Sequence, residues 1–181
     1  MVIPFPVTKV TASQDAVNRM LANVAFERAL TAEAADEIDE ALRLYREALQ
    51  RYPQSPGSLV NLGNIWLRSG NRNLAEAYYR EAIVIDPQYL LAHLNLAEVL
   101  DFQEDLGGAI AVYKDALQID PRCAEAHHGL AILYRENGEL PQSLEHWEFY
   151  VSSVKHNPPD DRLLCAARNE IERIRKVLKI A

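Results

Sequence analysis

The sequence has few of the residues on which disulfide-rich, metal-binding and membrane proteins depend. Its 181 residues include two cysteines, Cys123 and Cys165, which are too few and too far apart for a disulfide framework or a zinc site. Reduced thiols in a cytoplasm are the simplest interpretation. No apolar run approaches the roughly 18 residues that a membrane span needs, and the start of the chain lacks a basic region and a cleavage site. We therefore expect a soluble, cytoplasmic protein.

Basic residues are scarce relative to acidic ones. Lys and Arg total 19 against 26 Asp and Glu, which gives a formal net charge of −7. Because proteins that bind nucleic acid usually present a basic face to the phosphates, this balance argues against direct nucleic-acid binding. Catalytic motifs are missing too: there is no Gly-rich phosphate loop, nucleophile elbow or His-Glu-x-x-His. We predict no enzyme activity and no cofactor.

What the sequence does contain is a regular period of about 34 residues. We call residues at the same place in successive periods a column. Four columns are Ala41, Ala75 and Ala109; Tyr45, Tyr79 and Tyr113; Ala48, Ala82 and Ala116; and Pro53, Pro87 and Pro121. A fifth consists of Leu62, Leu96 and Leu130, each followed by a small residue. A large, a small and a helix-breaking residue in one register predict a stack of equivalent helical hairpins.

One period reads Leu59-x-x-Leu62-Gly63-x-x-Trp66, then Ala75-x-x-x-Tyr79-x-x-Ala82 and Asp86-Pro87. It resembles the tetratricopeptide repeat (TPR) family, whose period and pattern it shares. The resemblance runs roughly from Ala22 to Lys155. It implies an all-α superhelix of about four helical hairpins with a C-terminal capping helix. It also implies a scaffold or adaptor that binds other proteins and has no chemistry of its own.

We divide the chain by this period. An extended apolar tail (1–12), in which Pro4 and Pro6 disfavour a helix, precedes repeat one (13–55), whose long first helix takes Ser13 as its N-cap. Repeats two (56–89) and three (90–123) are the best formed. A degenerate fourth repeat (124–156) and a capping helix (157–181) follow.

The ends of the array depart from the pattern. In the fourth repeat, Ser143, Trp147 and Tyr150 replace the usual Ala, Tyr and Ala, so the next helix must pack differently. The capping helix is predicted to bury one apolar stripe, with Cys165 beside it as a small buried group. That stripe consists of Leu163, Ala167, Ile171, Ile174 and Leu178.

Helix ends are predicted in two repeats. Gly70 suits the C-cap of its helix because it tolerates a positive φ. Glu104 takes that place in repeat three, ahead of Gly107 and Gly108, so we expect a looser turn there.

In the TPR family the first helix of each hairpin lines a concave wall. The residues one step past the packing stripe are expected to face this wall. The predicted peptide- or partner-binding residues are Phe26, Leu30, Val60, Asn61, Asn64, Leu67, Leu91, Leu94, Asn95, Glu98, Asp101, Glu125, His128, Ile132 and Arg135. Their apolar centre with flanking carboxylates and a few bases favours an apolar or amphipathic segment that carries some Lys or Arg.

Two binding modes of the family involve asparagines. Asn61 and Asn95 share a column and could clamp the amides of an extended peptide, as in the asparagine ladder of some long TPR superhelices; the alternative is that each satisfies a neighbouring backbone group. A second mode grips a C-terminal carboxylate with Asn and several bases. Asn64 and Asn95 match it, but Val60 and Glu125 stand where bases are needed. A carboxylate would be repelled, so we do not expect a chaperone-tail peptide to bind.

The histidines invite a metal-site interpretation. His127 and His128 are adjacent, so they diverge by about 100° on a helix and cannot chelate one ion together. His93 and His127 share a column and are expected to pack between successive hairpins. We predict no metal site.

Two further hypotheses remain open. One is that the protein self-assembles into a homo-oligomer through the apolar tail from Val2 to Val10 or through the exposed side of its first helix. The other rests on the stretch from Phe26 to Leu30, which looks like TPR regions fused to bacterial helix-turn-helix regulators. No DNA-binding module is present in the sequence, so a transcriptional role would be indirect.

Overall fold

The repeating period folds into a stack of helix pairs. The computed structural model describes residues 12–154 and 161–179, so the predicted tail, apart from Ala12, lies outside the described residues. Within these ranges the chain is all α-helical. The helices are α1 (Ala12–Ala34), α2 (Ile38–Arg51), α3 (Pro56–Arg68), α4 (Arg72–Ile85), α5 (Leu90–Phe102), α6 (Leu106–Ile119), α7 (Ala124–Glu136), α8 (Leu140–Ser153) and α9 (Asp161–Leu178).

Successive helices pair as the period predicts. The strongest packing joins α1 to α2, α3 to α4, α5 to α6 and α7 to α8. The second helix of each pair then packs on the first helix of the next pair. In addition, α3 lies against α5 and α5 against α7, so these first helices form a continuous inner layer.

The small and large columns explain how closely the helices approach. The alanines at 41, 75, 109, 48, 82 and 116 are fully buried, as are Tyr45 and Tyr79. The Tyr79 ring occupies the space beside Gly63, where an added Cβ would overlap it. Gly129, on the first helix of the next pair, leaves space for the Tyr113 ring. Small residues on a first helix therefore create the slots that the tyrosines of the second helices fill.

The loops inside the four helix pairs share one backbone conformation. Asp36, Gly70, Glu104 and Gly138 form a column, and all have positive φ, at 62°, 85°, 65° and 80°. Each follows the end of a first helix, where a left-handed residue closes the last turn. Glu104 thus adopts the conformation for which Gly is better suited. In the next turn, the Asp105 carboxylate caps α6 by accepting from the Gly108 N–H at 2.9 Å.

The first helix is longer than its successors, as predicted, with 23 residues against the 13 of α3. Its predicted cap is wrong. The helix already includes Ala12, so Ser13 lies inside the first turn and does not precede it.

The fourth pair packs against α9 with its large residues. Trp147 and Tyr150 share an apolar cluster with Leu164, Ala167 and Ile174 of α9. The smaller Ser143 is fully buried and donates to the Ala131 carbonyl at 2.6 Å. The aromatic residues that replaced Tyr and Ala are thus the surface on which the last helix lies.

The predicted stripe of α9 needs two corrections. Leu163 is 46% exposed, whereas Leu164 is buried, and Cys165 is exposed. The other four predicted members do face the core, so only the first position of the stripe is wrong. Leu164, Ala167, Ile171, Ile174 and Leu178 therefore face the core.

Two column-mates, His93 and His127, are buried between helices, as expected for packed histidines. Each contacts the carbonyl of the proline six positions earlier: His93 Nε2 lies 3.0 Å from the Pro87 oxygen, and His127 Nε2 lies 3.2 Å from the Pro121 oxygen. When Nε2 donates there, the neutral ring presents an Nδ1 lone pair on its other side.

The two rings differ at Nδ1. His127 Nδ1 lies 2.8 Å from Nδ1 of His146, whereas the buried Nδ1 of His93 has no hydrogen-bond partner among the described residues. The residue one period before His146 is Val112, which has no hydrogen-bonding group. Two facing nitrogens hold one proton between them, so His146 donates from Nδ1 to this lone pair, and a second proton on His146 would have to bind at Nε2.

We predict that this histidine pair makes the protein less stable in mild acid. Burial lowers the pKa of His146 to about 4, with His127 adding to the effect, Glu145 opposing it and Lys114 adding a smaller contribution. The ordinary value is about 6.5, so the unfolded chain binds this proton first as the pH falls. The free energy of unfolding should therefore decrease between about pH 6.5 and about pH 4.

The matched variant is His146→Asn, which keeps a donor near His127 but cannot titrate. Urea unfolding at about pH 7.5 and about pH 5 should show a smaller loss of stability in the variant than in the wild type. An equal loss in both proteins would contradict the assignment.

Candidate functional site

The candidate site is the inner layer formed by the first helices. Because the first helix of one pair also contacts the first helix of the next, this side of the stack is the more closely spaced one. Several apolar side chains remain open on it: Leu30 is 38% and Leu91 45% exposed. Phe26, Leu67 and Leu94 are half-buried there.

Three predicted wall residues do not belong to this open surface. Val60 is completely buried in a cluster that includes Ala92 and Leu96 of α5, because neighbouring first helices lie close enough to cover its position. Ile132 packs against the cluster that α9 shares with α8. Arg135 forms an ion pair with Glu170 of α9 at 3.5 Å. The capping helix α9 thus contacts the residues at the C-terminal end of the predicted wall.

The asparagines bond to side chains of their own chain. Asn61 Nδ2 donates to the Tyr45 hydroxyl at 3.0 Å. Asn95 Nδ2 donates to Asn64 Oδ1 at 2.7 Å, and the same oxygen accepts from the Tyr79 hydroxyl at 2.7 Å. Their partners are therefore a tyrosine and an amide, and neither is the neighbouring backbone group that the sequence left as an alternative. Whether these amides also clamp a peptide stays a prediction.

In the first repeat, a tyrosine hydroxyl joins a four-residue network. Tyr45 donates to Glu33 Oε2 at 2.8 Å, and Arg68 of α3 donates to Glu33 Oε1 at 2.6 Å. With Asn61 bonded to the same hydroxyl, all the polar groups here are partnered. Burial and the Glu33 carboxylate raise the pKa of Tyr45 well above its usual range.

The third repeat presents a different arrangement around Tyr113. This ring is less buried than Tyr45 and Tyr79, and its hydroxyl donates to none of the residues in 12–154 and 161–179. Burial, then Glu98, Asp101 and the Cys123 thiol, raise the pKa of Tyr113 to about 12.

The carboxylates beside Tyr113 carry uncompensated charge. Burial and the charge of Glu136 raise the pKa of Asp101. Within the described part of the chain, neither Glu98 nor Asp101 takes part in an ion pair. The exposed Glu125 accepts a contact from the Cys123 thiol at 3.5 Å.

Two aromatic groups border the open surface. At its N-terminal end, Phe26 lies edge-on to Tyr45 with ring centroids 5.7 Å apart. Gly57 faces both Phe26 and Tyr89, since an added Cβ would lie 3.5 Å from the first and 3.4 Å from the second. Toward the C-terminal end, His128 contacts the ring of Trp147 at 5.3 Å, and burial lowers its pKa, although Glu125 opposes this.

Sequence reasoning missed Tyr113 and Tyr89 as wall residues. The column of Tyr113 is otherwise buried, so its place in the period predicts only a core residue. The signal was present in a neighbouring column, where Gly129 replaces the asparagine of the two earlier repeats. Tyr89 carries no repeated signal, since its column-mates are Ser55 and Cys123.

Two other kinds of site do not occur in the part of the chain that the structure describes. No three His, Cys, Asp or Glu side chains in the described ranges come together as they would to hold a metal ion. None of the helices that the structure describes combines the length and hydropathy needed to cross a bilayer.

Family models match most of this helical stack. A tetratricopeptide repeat model matches residues 26–89, and a TPR repeat model matches residues 103–138. The chain belongs to the tetratricopeptide repeat family. Comparison with curated protein sequences gives no match.

Solved TPR structures share the fold of this TPR protein at low sequence identity. MamA is 21% identical with a TM-score of 0.68, and the match covers 83% of this chain and 84% of MamA. YrrB, described as a TPR protein with an unusual peptide-binding site, is 18% identical with a TM-score of 0.66 and coverages of 82% and 74%. The first TPR of Spaghetti (RPAP3), bound to the HSP90 peptide SRMEEVD, is 20% identical with a TM-score of 0.62 and coverages of 66% and 95%.

The two tyrosine environments predict different costs for removing a hydroxyl. Tyr79→Phe deletes the bond to Asn64 and should lower the free energy of unfolding by about 1 kcal/mol. Tyr113→Phe deletes no such bond and should change it by less than about 0.5 kcal/mol. Urea unfolding of both variants beside the wild type measures the difference. Equal costs would show that the Tyr113 hydroxyl is bonded within the folded chain.

Proposed function

We propose that this TPR protein is a non-catalytic scaffold or adaptor that holds a peptide or a partner domain of another protein on its inner layer. The observation that carries the proposal is the open apolar row from Leu30 to Leu91, which lies beside carboxylates that have no cationic partner in the described residues. Covering half-exposed apolar side chains with a partner removes them from water and stabilises the complex. YrrB and the Spaghetti TPR are both described as peptide-binding, which supports the class of function.

The charge of the row selects the partner. Glu98, Asp101 and Glu125 favour a segment that brings Lys or Arg and disfavour one that brings carboxylates. The peptide SRMEEVD, which the Spaghetti TPR binds, has two consecutive glutamates and a terminal aspartate. We infer that the present groove takes an apolar or amphipathic segment with basic residues, and that it rejects that acidic sequence.

The test is a selection of short random peptides displayed on phage, followed by affinity measurements with synthetic copies. Leu91→Asp places a charge in the open row and should weaken selected peptides by about tenfold or more, since it removes apolar contact and adds desolvation cost. Val84→Asp is the matched control, because Val84 is 80% exposed on α4, outside the inner layer.

Peptides that bind Leu91→Asp as tightly as the wild type would place the binding surface elsewhere. A peptide of sequence SRMEEVD is measured in parallel. The wild type should not bind it with an affinity in the range found for the selected peptides.

A second candidate function, self-assembly, is favoured by the outer side of α1. Val17, Met20 and Val24 are 42%, 59% and 52% exposed and lie at i, i+3 and i+7, so they form one stripe. The opposite face buries Ala22 and Ala25. We propose that this stripe packs on the same stripe of a second copy in a two-fold symmetric pair.

Light scattering after size-exclusion chromatography tests this pairing. The wild type should have about twice the mass of the chain, which is 20.5 kDa, and Met20→Glu should have the mass of one chain because a charge in the stripe opposes burial. Val84→Glu, on α4, should leave the wild-type mass unchanged. A monomeric wild type at high concentration would remove this candidate.

A further inference from the structure

The repeats offer an internal comparison for the open surface near Tyr113. In the first repeat, Glu33 is bonded by the Tyr45 hydroxyl and by the Arg68 guanidinium. Asp101 and Tyr113 are the column-mates of Glu33 and Tyr45, two periods later. The acid and the tyrosine of this network therefore occur twice, once in the first repeat and once in the third.

The partners of the acid and the tyrosine are not repeated. The tyrosine and the acid of the first repeat contact Asn61 and Arg68 of the second repeat, and the column-mates of these two residues in the fourth repeat are Gly129 and Glu136. Glycine brings no amide to the tyrosine, and glutamate brings a negative charge to a site that holds a cation in the first repeat. One period after Glu33 and Arg68, the column-mates of this acid and this cation are Leu67 and Phe102, two apolar residues that need no counter-charge.

The cation nearest in sequence does not fill this gap. Arg135 precedes Glu136 and is bonded to it at 3.5 Å and to Glu170 of α9 at 3.5 Å. Its guanidinium is thus committed to the capping helix and to Glu136. Asp101 and Glu98 keep their charge without an ion pair in the described residues, beside a tyrosine hydroxyl that donates to none of them.

We propose that Asp101, Glu98 and Tyr113 form a subsite for the guanidinium group of an arginine side chain on the bound peptide. The proposal rests on the proposed function and names one residue type that the partner must supply. Arginine fits better than lysine because its planar group can bond a carboxylate and a second acceptor at once. The model for the contact is Arg68 on Glu33 in the same molecule, at 2.6 Å.

Glu98 adds charge that has no counterpart in the first repeat. Its column-mates are Leu30 and Asn64, and Asn64 is bonded internally to Tyr79 and Asn95. Two carboxylates near one hydroxyl give an entering guanidinium several acceptors, and the half-buried position of Asp101 limits screening by water.

The experiment compares an arginine with its neutral isostere. Peptides from the selection that contain arginine are synthesised again with citrulline in its place, and both forms are measured against each protein. On the wild type, the arginine form should bind about tenfold more tightly, as expected for hydrogen bonds to a charged group. Asp101→Asn should reduce this ratio to about twofold or less, since only the charge of the acceptor changes.

A second variant fills the subsite from within. Glu136→Arg places a guanidinium at the column position of Arg68, so it should also remove the preference for arginine, while a circular-dichroism melting curve confirms that the variant folds. Glu81→Arg makes the same change in charge on the exposed outer side of α4, and it should keep the wild-type ratio.

The outcomes separate this subsite from the groove itself. The affinity for the citrulline peptide, and the loss of that affinity in Leu91→Asp, report on the groove. The ratio of the affinities for the arginine and citrulline peptides reports on the subsite. A wild-type ratio near one, a ratio unchanged in Asp101→Asn and Glu136→Arg, or a selection without enrichment of arginine would overturn the subsite.

Discussion

The structure depends on the packing of one tyrosine from each of α2, α4 and α6 against the first helices. Tyr79 occupies the space beside Gly63 of its own pair, and Tyr113 occupies the space beside Gly129 of the next pair. Since interiors are packed nearly without voids, a large ring at this place needs small residues beside it. The buried alanines of the second helices allow the same close approach, and repetition of the tyrosine and alanine columns in successive periods builds the stack.

The same tyrosines connect the core to the candidate site. Their rings are core residues, but their hydroxyls end at the inner layer, among the side chains that a partner would meet. In the first two repeats, Glu33, Asn61 and Asn64 bond to these hydroxyls, and Asn95 bonds to Asn64. In the third repeat the described residues supply no such partner. The packing is thus repeated along this molecule, while the polar surface above it varies from repeat to repeat.

The ends of the stack show how the repeat pattern is closed. At the C-terminal end, Trp147 and Tyr150 give α9 an apolar surface, and Arg135 bonds to Glu170 across the same junction. At the other end, the outer side of α1 keeps Val17, Met20 and Val24 open. The two ends of the array therefore differ: α9 covers the one, and an apolar stripe is left exposed at the other.

Much of the fold was predictable because the period fixes it. The helix pairs, the buried alanine columns and the left-handed Gly70 follow from residues that recur at one spacing, and the long α1 follows from a stretch without Gly or Pro. The burial of Leu164 in place of Leu163 was not predictable from the stripe of α9, because the two leucines are equally apolar and only the surface beneath decides which is buried. The cap at Ser13 failed for a similar reason, since several polar residues can start a helix.

The candidate site was predictable in part. The sequence predicted that leucines, asparagines and carboxylates of the first helices lie together on one side, because helical spacing places them there, while the concave wall was implied by the TPR resemblance. Only the tertiary structure decided which of them remain available. Val60 is buried since neighbouring first helices approach closely, Arg135 is taken by α9, and the asparagines bond to groups from other helices. Such pairings depend on distances between segments that are far apart in the chain, and no local pattern records those distances.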